Sequence, residues 1–208
     1  MLTLLIVSFF GIVNPPVTPY MLSESRRLDG VTRDWVEIER ISPVMVRAVV
    51  AAEDANFCRH WGLDLGAIRA AMASGGARGG STISQQVVKN VFLWHGRSYG
   101  RKALEAMLTP VMEAVWSKRR ILEVYLNVAE FDEGVFGVEA AARHYFGVPA
   151  EALSPRQAGL LAALLPAPKS RSASAPSAYM RERSAQITEG AAFLARTGGS
   201  ACFETPAG

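Results

Sequence analysis

Cysteine is almost missing: Cys58 and Cys202 are the only two in 208 residues. Two such distant thiols exclude a disulfide framework, and neither falls at a metal-ligand spacing. Whether they pair with each other stays open at this level, and so does the redox compartment. No charge sign dominates either. The chain has 22 Lys and Arg against 19 Asp and Glu, a net charge of +3. That suits an anionic substrate or a membrane surface and is too weak a bias to argue for nucleic acid. Internal repeats are absent and alternating strand patterns are scarce, so the class is mainly α. A long apolar run is missing too. Met1 to Val13 (MLTLLIVSFFGIV) carries no charge. At about 1.5 Å per residue it reaches roughly 20 Å, against a hydrocarbon core of about 30 Å. No basic leader precedes it and no clear cleavage site follows, which disfavours a secretory signal. The expectation is a short, truncated membrane anchor over residues 1–13, stopped by Asn14-Pro15-Pro16, with the rest of the chain outside the cytoplasm.

What is present is helical. Half of the residues are hydrophobic, enough to bury one core and at most two lobes. Ser42-Pro43 reads as an N-cap with proline at the first helical position. Val46, Val49 and Val50 then carry an apolar face into Glu53 and Asp54. Two acids at the negative end of a buried helix are poorly placed for solubility, and that position tends to raise a carboxyl pKa. Beside Phe57 and His60, such a group is what a general base near neutral pH requires. The competing reading makes Asp54 a turn cap, Phe57 core and His60 a satisfied hydrogen-bonding residue.

Residues 14–41 are polar and mixed, and read as a linker or arm. After the Glu53 helix, Leu65, Ile68 and Met72 keep helical spacing before the chain enters a mobile glycine-rich loop ending at Gly79-Gly80. Thr82 with Gln85 three residues on forms a capping-box pattern. A helix terminus after such a loop offers backbone N–H groups to an anion. Thr82, Gln86 and Lys89 fall at i, i+4 and i+7, a face suited to phosphate or sugar. The spacing is not that of a P-loop, because Lys89 lies two turns inside the helix. A capped surface helix with a solvated lysine is the alternative.

Arg101, Lys102 and Glu105 open the next helix, where an Arg101–Glu105 pair is by default a surface ion pair. The pattern runs to about Trp116, through or around Pro110, and resumes at Lys118-Arg119-Arg120 as an amphipathic helix to Asn127. Gly134 to Val138 is a turn with close backbone approach, leading to a helix over 139–146. Ser154-Pro155-Arg156-Gln157 is a complete helix start, and Ala158 to Leu165 must be core. Residues 169–208 are expected to be loose apart from one modest helix near 179–196.

Taken together, five segments resemble the five motifs of the peptidoglycan glycosyltransferases, the domain also found in bifunctional penicillin-binding proteins. They are Glu53-Asp54-x-x-Phe57-x-x-His60-x-Gly62, Gly79-Gly80-Ser81-Thr82-Ile83-Ser84-Gln85-Gln86, Arg101-Lys102-x-x-Glu105, Lys118-x-x-Ile121-Leu122-Glu123-x-Tyr125-Leu126-Asn127 and Gly137-Val138-x-Ala140-Ala141. The order and spacing match over about residues 14–168, and the length without a transpeptidase domain resembles the monofunctional members. Val148 departs from the pattern, standing where the family usually has lysine.

The resemblance implies a lysozyme-like, two-lobed helical domain over residues 42–168, membrane-anchored at its N-terminus. It implies a substrate, lipid II, polymerised into β-1,4 glycan with release of undecaprenyl pyrophosphate at the periplasmic face of the bacterial inner membrane, where the chain would be single-pass. Carried over residue by residue, Glu53 and Glu105 are the expected catalytic pair. Asp54, Phe57, His60, Ser81, Thr82, Gln85, Gln86, Lys89, Arg101, Lys102, Lys118, Arg119 and Asn127 are expected to bind substrate. A divalent cation, magnesium or manganese, near the pyrophosphate stays open. The expected partners are lipid II, the growing glycan, the bilayer and other cell-wall synthesis proteins, with no nucleic acid. Two rivals remain: a lysozyme-type lytic enzyme, against which the basic second and third motifs count, and an inactive membrane-bound glycan-binding module, against which the intact Glu53 and Glu105 count.

Overall fold

The computed structural model describes residues 2–73, 80–96 and 98–204. Most of the expected mobile loop, residues 74–79, lies outside them. Among the described residues the fold is mainly helical: α1 (Leu2–Ile12), α2 (Pro19–Leu28), α3 (Pro43–Glu53), α4 (Leu65–Ala73), α5 (Ile83–Phe92), α6 (Tyr99–Val115), α7 (Lys118–Val128), α8 (Val138–Phe146), α9 (Pro155–Leu164), α10 (Ala178–Thr197) and α11 (Ala201–Glu204). Three very short strands, β1 (Thr32–Arg33), β2 (Glu130–Asp132) and β3 (Val135–Phe136), form a small sheet in the order β1-β3-β2.

Two packing groups frame the site. α3, α9 and α10 pack on one another, and α5 packs against both α6 and α7. The core runs between them, with Val49, Phe57, Ile83, Val87, Leu122, Tyr125, Leu161 and Leu164 essentially buried. Each such side chain contributes roughly 1.5–3 kcal/mol. Gly159 lets α10 approach α9: a Cβ there would come within 2.7 Å of the hydroxyls of Ser184 and Thr188. Met180, Ser184, Ile187, Ala191 and Leu194 form the buried stripe of α10. The modest helix expected near 179–196 is α10, and it is a structural wall instead of part of a loose segment, because its buried stripe packs closely on α3 and α9.

The arm is folded as well. Thr18 caps α2 by accepting from Met21 N at 3.2 Å, and Tyr20 donates to Glu130 at 2.6 Å. β1 pairs in parallel with β3. Val36 exchanges two hydrogen bonds with the side chain of Asn127, at 2.8 and 2.9 Å. Ser42 starts α3 without capping it; its hydroxyl donates to Leu153 O instead.

α1 is helical as expected, and it lies on the domain. Val7 is buried, the Trp116 indole donates to Val7 O at 2.7 Å, and Arg120 donates to Phe10 O and Val13 O. Leu4, Leu5, Ile6, Phe9 and Ile12 remain exposed. Among the described residues no helix is long and apolar enough to cross a membrane, and the segment expected to be an anchor forms an 11-residue helix.

Candidate active site

Glu53 is the last residue of α3. Burial pushes its carboxyl above the ordinary range, and the hydrogen bond from Gln86 and the charges of Arg183 and Lys89 pull the other way. Gln86, one turn into α5, donates Nε2–H to Glu53 Oε2 at 2.9 Å. Tyr125 donates its hydroxyl to Gln86 Oε1 at 3.3 Å, which fixes the amide with its N–H₂ toward the carboxylate. The base candidate is thus oriented from beneath by the buried Tyr125, which belongs to the fourth motif and was not among the expected site residues.

The two acids of this turn face opposite ways. Glu53 lines a cavity of about 920 Å³, shared with Ser81, Gln85, Gln86, Lys89, Arg101, Lys102 and Glu105. Asp54 turns inward: Oδ2 accepts from Ile83 N at 3.0 Å and Oδ1 meets His60 Nε2 at 2.8 Å. A carboxylate therefore already sits at the positive end of α5. The capping box uses two more backbone N–H groups, those of Thr82 and Gln85. The terminus expected to receive a substrate anion is filled by the protein's own groups. Thr82 also leaves the expected face, since its hydroxyl donates to Gly62 O at 2.5 Å. Gly62 has a φ of +79°, and a Cβ there would come within 2.5 Å of Thr109 Cγ2, so this close approach demands glycine.

On the opposite wall, Glu105 is 2% exposed, far from a surface ion pair. Arg101 Nη1 donates to one carboxylate oxygen at 2.8 Å and Lys102 Nζ to the other. Lys102 also reaches the Ser81 hydroxyl at 3.1 Å. Lys89 lies between this cluster and Glu53, and burial lowers its pKa against the pull of Glu105. Three cations around one doubly occupied carboxylate leave an excess of positive charge facing the cavity. Both Glu105 oxygens are committed to cations, so this donor set does not fit a divalent metal. The carboxylates that do approach one another, Glu37, Glu39 and Glu123, lie away from the cavity, with Arg119 on Glu39 and Arg120 on Glu123.

Several residues expected to touch substrate support the site from behind. Lys118 donates to His60 O and Glu113, both within 2.8 Å, and lies 4.3 Å above the Phe57 ring. Phe57 is fully buried. Arg119 donates to Phe203 O and Asn127 holds the Val36 backbone. None of Asp54, Phe57, His60, Thr82, Lys118, Arg119 or Asn127 lines the cavity. The structure adds Arg171, Tyr179, Arg183 and Gln186, brought in by α10 and the segment before it. A second cavity of about 370 Å³ shares Gln86, Lys89 and Leu165 with the first and extends the groove past Tyr20, His95 and Lys169. His95 there is pushed down to about 4 by burial and the nearby cations.

The sequence has known relatives. The family model described as Transglycosylase matches residues 21–192. The chain is 60% identical over 194 residues to a protein of Jannaschia sp., covering 93% of this chain and 81% of the relative. It is 51% identical over 197 residues to one of Pseudomonas fluorescens, covering 90% and 82%. An Escherichia coli protein is 57% identical over 193 residues, covering 87% and 80%. All three relatives are described as biosynthetic peptidoglycan transglycosylases. The matched region takes in most of α10, and the chain belongs to the transglycosylase family.

Proposed function

We propose that this enzyme polymerises lipid II into β-1,4-linked glycan, with Glu53 as the general base. The observation that carries the reading is the opposition, across one cavity, of a buried carboxylate held by Gln86 and a cationic cluster of Lys89, Arg101 and Lys102. The acceptor 4-hydroxyl gives its proton to Glu53 as its oxygen attacks the anomeric carbon of the donor. The carbon–phosphate oxygen bond breaks on the opposite side, so an α-linked donor gives a β product in one inverting displacement. Pyrophosphate needs charge stabilisation more than a proton, and Lys89 and Arg101 supply it. Glu105 holds Arg101 and Lys102 in place.

The substrate's lipid carrier places the reaction at the periplasmic face of the inner membrane. The exposed apolar residues of α1 support anchoring through the N-terminal segment. The disulfide between Cys58 and Cys202 supports an oxidising compartment. Other cell-wall synthesis proteins are proposed partners on the same ground of location. Incubating the purified chain with lipid II tests the reading: high-molecular-weight glycan and free undecaprenyl pyrophosphate are expected, whereas release of small muropeptides from preformed glycan would indicate a lytic enzyme instead.

A further inference from the structure

The last described residues form a compact unit on the back of the catalytic turn. Gly198 ends α10, and α11 follows at Ala201–Glu204. Cys202 is bonded to Cys58, which stands five residues after Glu53. Next to it, Phe203 is fully buried, with its ring 6.3 Å from that of Phe57. Glu204 pairs with Arg47 of α3, and Arg119 of α7 donates to Phe203 O at 2.9 Å. The segment therefore touches α3, the turn after it and α7, which are the elements that carry or support Glu53.

The same turn is held from the other side by buried polar contacts. Asp54 binds Ile83 N and His60, and Lys118 binds His60 O over the Phe57 ring. Between these two sets of restraints the backbone from Asp54 to Gly62 has no regular hydrogen-bonded helix beyond a single turn at Phe57–Arg59. A short irregular segment of this kind relies on its anchors for a fixed shape. The disulfide is its one covalent anchor, and both cysteines are only partly buried.

We propose that residues 198–204 are a redox-releasable strap that positions the Glu53–Asp54 turn, and that a dithiol opens it. This rests on the assignment of Glu53 as the base. In the opening step a thiolate of the dithiol attacks one sulfur of the Cys58–Cys202 bond. The second thiol then displaces the remaining sulfur. The dithiol is oxidised to its cyclic disulfide and gives two electrons and two protons, leaving two cysteine thiols. Phe203, Glu204 and the Arg119 contact are then held by packing and pairing alone, so the strap loosens while the domain remains folded. Cys58 and Cys202 touch no substrate and act through the turn. The expected mark is accordingly a fall in kcat with little change in KM, since a misplaced base slows chemistry more than binding.

The test uses the full chain, oxidised and after dithiothreitol, with free thiols counted, alongside Cys202→Ser. Three readouts are taken: lipid II polymerisation, circular dichroism, and amide hydrogen exchange resolved to peptides. Reduction should expose two thiols and speed exchange in residues 54–62 and 198–204 while α5 and α9 stay protected. It should lower kcat by about tenfold with KM within a factor of about two, and Cys202→Ser should match the reduced enzyme and ignore dithiothreitol. Unchanged kcat and exchange with both thiols free would overturn the strap, and so would loss of helical signal throughout, which would make the bond a global staple. Failure of the Glu53 assignment would be visible separately, as polymerisation by Glu53→Gln, while the exchange result would stand by itself.

Discussion

Gln86 donates to Glu53 at 2.9 Å, and Tyr125 donates to Gln86 from the opposite side at 3.3 Å. The base candidate on α3 is thereby tied to a residue of α5, whose own start is fixed by Asp54. One turn of chain thus serves as base and as the clamp that aligns its partner helix.

A pH dependence follows. Burial raises the Glu53 pKa, so the carboxylate stays protonated to a higher pH than the ordinary glutamate value of about 4.3. The acid limb of kcat/KM should lie above that value, with the rate rising as Glu53 ionises. The charge of Arg183 and the hydrogen bond from Gln86 favour the ionised form, so Arg183→Met and Gln86→Leu should each move the limb to higher pH. Tyr125→Phe frees the Gln86 amide and should move it the same way by less. Measured pH–rate profiles showing no displacement in Arg183→Met would contradict the electrostatic part.

On the cationic wall, Lys89→Ala should lower turnover by about 100-fold, the scale of one lost charge-stabilising donor, with little change in melting temperature. Arg101→Ala should do both kinds of damage, because it also strips one of two cations from the buried Glu105. Losing one such charged hydrogen bond, with Lys102 still on the carboxylate, costs about 1.5–3 kcal/mol. Thermal melts beside polymerisation rates separate the two effects, and equal melting behaviour in both variants would place Glu105 elsewhere.

Asn127→Ala should act on stability. Its side chain makes three hydrogen bonds, two to Val36 and one to Glu123 O, and truncation leaves the Val36 groups unpaired at about 1–3 kcal/mol each. A lowered melting temperature with near-normal KM is expected. A large KM change in a fully stable protein would restore Asn127 to substrate binding.

Removing residues 1–13 should weaken membrane association only in part and leave the domain folded and active in detergent. It should also lower the melting temperature, because Trp116 and Arg120 lose acceptors on α1. Liposome sedimentation and thermal melts of the truncated chain check both. Complete loss of fold would make α1 core.

The helices were legible because their signals are local: the Ser154–Gln157 capping box, the apolar run of α9 and the Thr82–Gln85 box all form as written. The cavity residues Glu53, Gln86, Lys89, Arg101 and Glu105 were legible as a set. Which way each side chain faces was less so. Asp54, Thr82, Lys118 and Asn127 carry polar groups suited to a ligand, and those groups satisfy buried backbone instead. That choice depends on contacts between residues 20 to 91 positions apart, which no local pattern encodes. Arg183 escaped notice for a related reason: the helix was legible, but only the close approach of α10 to α9 at Gly159 brings Arg183 to the cavity. The cysteine pair, 144 positions apart, could not be read from spacing at all.

The central claim is that Glu53 takes the acceptor proton. The most direct measurement is steady-state polymerisation of lipid II by Glu53→Gln, an isosteric change that keeps an acceptor for Gln86. The account predicts a loss of at least about 100-fold in kcat, with an unchanged melting temperature and retained binding of lipid II. Turnover within a few-fold of the unsubstituted enzyme would contradict it.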